Sequence, residues 1–164
     1  MDVDTMFREH VATRLTGEDA HLTLEQAVAD FPLDQINTQP PNVPYTFWAI
    51  LEHIRIAQWD ILEYTKSPTT HVTPPWPEGH WPEPGYAATP DEWNATLDAI
   101  RVGIVEGQAM ARDPHVDLFA PLDGAPTHSA VRELLLLGDH NSYHLGEFAI
   151  LRQTMDLWPE GRQG

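Results

Sequence analysis

His140 and His144 stand four residues apart in His140-Asn141-Ser142-Tyr143-His144, inside a long helical pattern near the C-terminus. Positions i and i+4 share one face of an α-helix, so a single helix can aim both imidazoles at one point. A third histidine, His53, lies in Leu51-Glu52-His53-Ile54, in the middle of another helical pattern far upstream. Two helices can then supply three histidine ligands to one ion. Three protein ligands leave coordination positions open, which is the catalytic rather than the structural pattern for zinc-like ions.

The flanking residues sharpen this reading. Leu137, His140, His144, Phe148 and Leu151 form one stripe along the last helix. Imidazoles among apolar neighbours leave polar nitrogens that need partners, and an ion satisfies them. The chain has no cysteine, so thiolate ligands and disulfides are excluded and a transition metal must use His, Asp, Glu or water. Between the paired histidines stand Asn, Ser and Tyr, so the zinc-protease pattern His-Glu-x-x-His, with its glutamate base, is absent. The two histidine-bearing helices hold no Glu-x-x-His, the pattern of carboxylate di-iron bundles. No glycine-rich phosphate loop occurs, and Ser142 is not in a Gly-x-Ser-x-Gly elbow. His10, His21, His71, His80, His115 and His128 stand in polar or loop settings and read as surface residues, with His80 a weaker candidate for a loop contribution.

The elements that position these residues read as follows. A first helix spans 3–16, capped by Asp2 or Asp4 and ended by Gly17. A short one spans 23–30, where Thr23 and Gln26 fit a capping box, and Phe31-Pro32 stops it. Residues 32–45 contain four prolines and read as an extended crossover. A helix over 46–66 repeats Phe47, Ile50, Leu51, Ile54, Ile61 and Leu62 at helical spacing. At 100° per residue His53 falls about 60° from Ile50 and about 40° from Ala57, on the shoulder of the apolar face. Residues 67–89 hold six prolines and two tryptophans and can be neither helix nor central strand. Such a long loop with apolar anchors reads either as a lid or as a segment pinned to the helices by Trp76 and Trp81. Thr89-Pro90-Asp91-Glu92 opens a helix over 90–112 with a capping box and a proline at the first position. A loop at 113–127 precedes the last helix, 128–157, in which Gly138 and Gly146 suggest close packing because glycine costs helix propensity. No strand pattern stands out. Four main helices and a short one predict an all-α antiparallel four-helix bundle in a single domain covering 1–164.

Composition bounds the function. The net charge is −16, with 25 acids against nine lysines and arginines. Such a surface repels phosphate backbones, so no nucleic-acid partner is expected. The charge reads as a solubility device, with an acidic partner-binding role as the alternative. No run approaches the ~20 apolar residues of a membrane span. The N-terminus Met-Asp-Val-Asp-Thr-Met lacks the basic start and apolar stretch of a secretory signal, which predicts a cytoplasmic protein.

Two segments carry a resemblance. Trp48-Ala49-Ile50-Leu51-Glu52-His53-Ile54-Arg55 and Asp139-His140-Asn141-Ser142-Tyr143-His144-Leu145-Gly146-Glu147, with the trailing Leu151-Arg152 and Trp158-Pro159, resemble the DinB-like superfamily of YfiT-like metal-dependent hydrolases. The resemblance implies a bundle of four antiparallel helices, often dimeric, with zinc or nickel held by His53, His140 and His144. It also implies hydrolase or thiol S-transferase chemistry, the latter with a low-molecular-weight thiol. The family name refers to damage-inducible expression and implies no contact with DNA. A scaffold shared by many reactions does not name the substrate.

Two functional classes follow. In the first the chain is a metal-dependent enzyme, in which the ion lowers the pKa of bound water or of a bound thiol. In the second it is a non-catalytic metal or small-molecule binding protein of a stress response. A general acid or base beside the ion would separate them. Asp60 and Glu147 are closest by helical position, although each also fits a solvated helix edge. Trp48, Trp59 and Trp93 offer aromatic surface for a two-fold dimer.

Overall fold

The computed structural model describes residues 2–18 and 20–161. Among these the chain is mostly helical: α1 Val3–Arg14, α2 Leu24–Val28, α3 Phe47–Lys66, α4 Pro90–Arg112 and α5 Ala130–Thr154. The helix ends follow the capping chemistry. Asp2 accepts from the Thr5 amide at 2.8 Å at the start of α1. Reciprocal capping boxes open α2, through Thr23 and Gln26, and α4, through Thr89 and Glu92 with Pro90 at the first position. Each box satisfies donors that the first turn leaves without helical partners.

The segment before α5 departs from the sequence reading. Instead of a helix from 128, β1 (Pro121–Leu122) and β2 (Ala125–Ser129) form a small antiparallel hairpin, with Pro121 opposite Ser129 and Leu122 opposite Ala125. Asp123-Gly124 makes the turn, and Gly124 has φ of +74°, a conformation glycine takes at no steric cost. Asp-Gly between short extended runs is a hairpin signal, but β1 has only two residues and the five of β2, Ala-Pro-Thr-His-Ser, show no apolar alternation. Ser129 then caps α5.

α3 packs along both α4 and α5, and α1 lies against the same two helices. The interior divides into two clusters. One is aromatic: Phe31, Phe47, Trp93 and Phe148 interlock with ring centroids 4.9–6.3 Å apart. The other is aliphatic and joins Val11, Leu15, Leu62, Leu118, Leu134 and Leu137. Trp48 and Trp93 are buried in the first cluster, so the surface expected of them for dimer contact is not there; of the three tryptophans only Trp59 is exposed. Trp48 is fixed by donating Nε1–H to Thr96 Oγ1 at 3.1 Å.

Where α3, α4 and α5 meet, a chain of buried amides replaces apolar packing. Asn141 Nδ2 donates to Gln58 Oε1 at 2.9 Å, and Gln58 Nε2 donates to the Ile100 carbonyl at 3.0 Å. Gly103 makes room for this: a Cβ there would fall 1.9 Å from Gln58 Nε2. Of the two glycines in α5, Gly138 lies against Arg14 and Leu15 of the α1 end, as close packing requires. Gly146 instead faces open space, with nothing within 4 Å of an added Cβ. No helix of the described residues is long and apolar enough to cross a membrane.

Candidate metal centre

His53 projects from the middle of α3, and His140 and His144 project from successive turns of α5. Their ligand nitrogens lie within 4.8 Å of one another, and Nε2 of His140 is 3.1 Å from Nε2 of His53. Three side chains from two helices thus converge on one point. His53 is more buried than its shoulder position suggests, at 1 % exposed. The reason is the loop 67–89, which folds back along α3 and covers that shoulder.

Groups outside the triangle fix the tautomers. His53 Nδ1 is 2.7 Å from the His80 carbonyl oxygen. A carbonyl only accepts, so Nδ1 carries the proton and Nε2 presents a lone pair inward. His144 Nδ1 is 2.9 Å from Glu147 Oε2, and a carboxylate likewise demands the proton on Nδ1. His140 has no such constraint: its Nδ1 is buried without a hydrogen-bond partner among the described residues. With its proton on Nε2 it donates to His53; with the proton on Nδ1 all three Nε2 lone pairs point into one space. That arrangement suits a cation, because converging lone pairs repel one another and a bound cation relieves that repulsion. Carboxylate and carbonyl partners on the far nitrogen are the usual supports of metal-ligating histidine.

Burial keeps two of the three imidazoles, His53 and His140, neutral. Burial, chiefly, pushes His53 down to about 4, with His144 and His80 adding to the effect and the His80 carbonyl opposing it. Burial also pushes His140 down to about 4, reinforced by His144 and His53. A metal ligand must be deprotonated, and at neutral pH these two already are.

Aromatic side chains close the site. Trp81 stacks on His53 with centroids 4.0 Å apart and planes 3° from parallel. Tyr45 stacks on that same indole, with centroids 4.9 Å apart, and donates its hydroxyl to Glu147 Oε1. Burial and the Glu147 carboxylate push the Tyr45 phenol well above its usual range, so it stays a donor. A closed ring of contacts results: His144, Glu147, Tyr45, Trp81, His53. Trp76 is farther off, 6.3 Å from His53 by centroids, and 69 % exposed. Beyond Tyr45 and Trp81 lies a cleft of about 410 Å³, walled further by Pro44, Ala49, Pro82 and Tyr86.

The two carboxylates named from helical position are both engaged. Glu147 holds His144 and Tyr45. Asp60 holds His71, with Oδ1 2.6 Å from Nε2, and lies 3.5 Å from Nε2 of His80. His71 and His80 are therefore not ordinary surface residues; His80 is 8 % exposed and its backbone, not its ring, reaches the centre. The sequence carries no local signal for this, because a backbone carbonyl is common to every residue. Tyr45 was equally invisible, standing 102 residues from Glu147. His10, His21 and His115 are not among the converging histidines. His128 pairs instead with Tyr64, Nδ1 to hydroxyl at 2.7 Å.

No family model matches the chain, and neither a curated protein nor a solved structure matches it.

Proposed function

We propose that this chain is a divalent-metal-dependent enzyme, a hydrolase or thiol S-transferase of the DinB-like kind, whose α1, α3, α4 and α5 form an antiparallel four-helix bundle. One observation carries the reading: three imidazoles converge while two of them have their outer nitrogens tied to acceptors, leaving lone pairs directed at a common centre. Zinc and nickel both suit such a nitrogen donor set. When bound, the ion supplies Lewis acidity that brings a protic nucleophile, water or a thiol, toward ionisation at neutral pH.

The chain's own residues do the rest. His53, His140 and His144 hold the ion. Glu147 keeps the proton of His144 on Nδ1, and the Tyr45 hydroxyl steadies Glu147. Trp81 covers one face of His53 and excludes water from that side, which strengthens electrostatic interactions inside the site. The apolar cleft beside Tyr45 and Trp81 is suited to the non-reacting part of a small-molecule substrate. The net charge of −16 opposes a nucleic-acid partner. A two-fold homodimer belongs to the same reading: Trp59, Val102 and Val105 remain exposed on α3 and α4, and a monomeric mass by light scattering would remove it. So does a cytoplasmic location.

A second reading has its own support. Asp60 and Glu147 are both committed to positioning contacts, so neither is free to shuttle protons as a general base. That favours a metal or small-molecule binding protein without turnover. Elemental analysis of the purified protein tests both readings at their root, with about one first-row divalent ion per chain expected. A hydrolase and thiol-transfer screen of zinc- and nickel-loaded protein separates them: turnover selects the enzyme, and stoichiometric metal with no turnover across the screen selects the binder.

A further inference from the structure

Asp60 stands seven residues after His53 on α3, two turns along the same face and about 10 Å farther down the axis. The chain leaves α3 at Lys66 and runs back antiparallel to it. His71 meets Asp60 first, at 2.6 Å. His80 then passes with its ring 3.5 Å from the other carboxylate oxygen, and its carbonyl arrives 2.7 Å from Nδ1 of His53. Trp81, the next residue, lies flat on the same ring. Indoles flank the grip, with Trp59 edge-on to His71 at 5.6 Å and Trp76 5.4 Å from His80.

A loop holding six prolines cannot build a ladder of backbone hydrogen bonds that would fix its own course. Within it the backbone bonds near His80 are local turns, Gly79 to Pro75 and His80 to Pro77. They shape the turn but do not attach it to α3. Attachment comes from side chains, and Asp60 is the carboxylate that reaches two points of the loop nine residues apart.

We propose that Asp60 is a positioning residue: by gripping His71 and His80 it sets the loop so that the His80 carbonyl holds His53 with its proton on Nδ1 and Nε2 free for an ion. The part concerning the ion rests on the metal reading above; the part concerning the tautomer does not. Supports of this kind, one shell removed from a metal ligand, change affinity by roughly 10–100-fold.

The test uses the full chain in two measurements. Long-range ¹H–¹⁵N spectra of the metal-free protein report the His53 tautomer, and titration with zinc reports affinity. Wild type is expected to show Nδ1–H at His53. Asp60→Ala is expected to give a mixture of tautomers and zinc binding weaker by about 10–100-fold, with helicity retained. His71→Ala, which removes one of the two grips, is expected to shift both readouts in the same direction by less, and it carries the test if Asp60→Ala does not fold. Leu134→Ala destabilises through the separate aliphatic cluster and should move neither. Wild-type tautomer together with a zinc affinity within twofold of wild type in both Asp60→Ala and His71→Ala would overturn the proposal. Wild type that takes up no zinc would end the metal reading, while the tautomer in the variants would still decide the role of Asp60.

Discussion

Two histidine groups lie within a few residues of one another around α3, and they solve the same physical problem in opposite ways. Around Asp60, a carboxylate sits between imidazoles. Oδ1 accepts from His71 at 2.6 Å and Oδ2 lies 3.5 Å from His80 Nε2, so the acceptor stands inside the group, although His80 Nδ1 is buried without a hydrogen-bond partner among the described residues. Around His53, His140 and His144 no carboxylate lies between the rings; Glu147 and the His80 carbonyl stand outside and pull the protons outward. The same side chains are therefore turned inside out. Where an acceptor sits within a cluster, the rings turn their protons toward it; where acceptors sit behind it, the cluster presents lone pairs to whatever can take them. Histidine count alone does not distinguish a metal centre from a structural network. The placement of the acceptors does.

The largest effect expected from this contrast is on metal uptake. His144→Ala or His140→Ala removes an inward lone pair and should abolish stoichiometric binding, a loss beyond the ~100-fold that supporting residues produce. His71→Ala removes a ring that is already satisfied and should retain stoichiometric binding, only more weakly. Both proteins should keep their helical circular dichroism. Elemental analysis after exhaustive dialysis distinguishes them, and full loading of His144→Ala would break the comparison.

The convergence of the three histidines was legible because it is local on each helix. The spacing of His140 and His144 needs only the helical period, and His53 needs only the apolar stripe around it. Helix starts at Thr89 and Thr23 were legible for the same reason, since a capping box spans four residues. What surrounds the histidines was not. Glu147 meets Tyr45 across 102 residues, Asn141 meets Gln58 across 83, and His53 meets a backbone carbonyl 27 residues away. Each depends on how elements pack, which no local pattern encodes. The hairpin at 121–129 is illegible for a different reason: β1 is only two residues long and β2, Ala-Pro-Thr-His-Ser, has no apolar alternation, leaving Asp123-Gly124 as the clue.

Acid should separate the two groups next. In the metal-free protein His53 and His140 are held down at about 4, whereas an unfolded histidine titrates near 6.5. Between those values the unfolded chain binds protons that the folded chain does not. The stabilising contribution is therefore complete above about pH 6.5 and is lost as pH falls toward 4. On the order of 2–3 kcal/mol is expected for the cluster, since the rings share one site and titrate together. Urea unfolding at pH 7.5, 6 and 5 should show this slope in wild type and a flatter one in a His53→Gln, His140→Gln double variant. An equal slope in both would place the acid sensitivity elsewhere.

The smallest effects expected concern two glycines that the sequence presents alike. Gly103 and Gly146 both interrupt long helices, and helix propensity alone would make alanine better at either by about 0.5–1 kcal/mol. Their surroundings differ. At Gly103 a Cβ would overlap Gln58 Nε2, so Gln58 must swing away from the Ile100 carbonyl and from Asn141, the neighbour of His140. Leaving such buried amides unpaired costs about 1–3 kcal/mol, which outweighs the propensity gain. Gly103→Ala should therefore be net destabilising by about 1–2 kcal/mol. At Gly146 an added methyl meets nothing, although the residue lies only two positions beyond His144. Gly146→Ala should stabilise the protein by about 0.5–1 kcal/mol and leave zinc affinity unchanged, because neither Glu147 nor Tyr45 has to move. Chemical denaturation of both variants, with zinc titration of the second, checks the pair. A destabilised Gly146→Ala would mean that the open face of α5 is covered in solution, and the exposed side of the histidine helix would then have to be described as an interface.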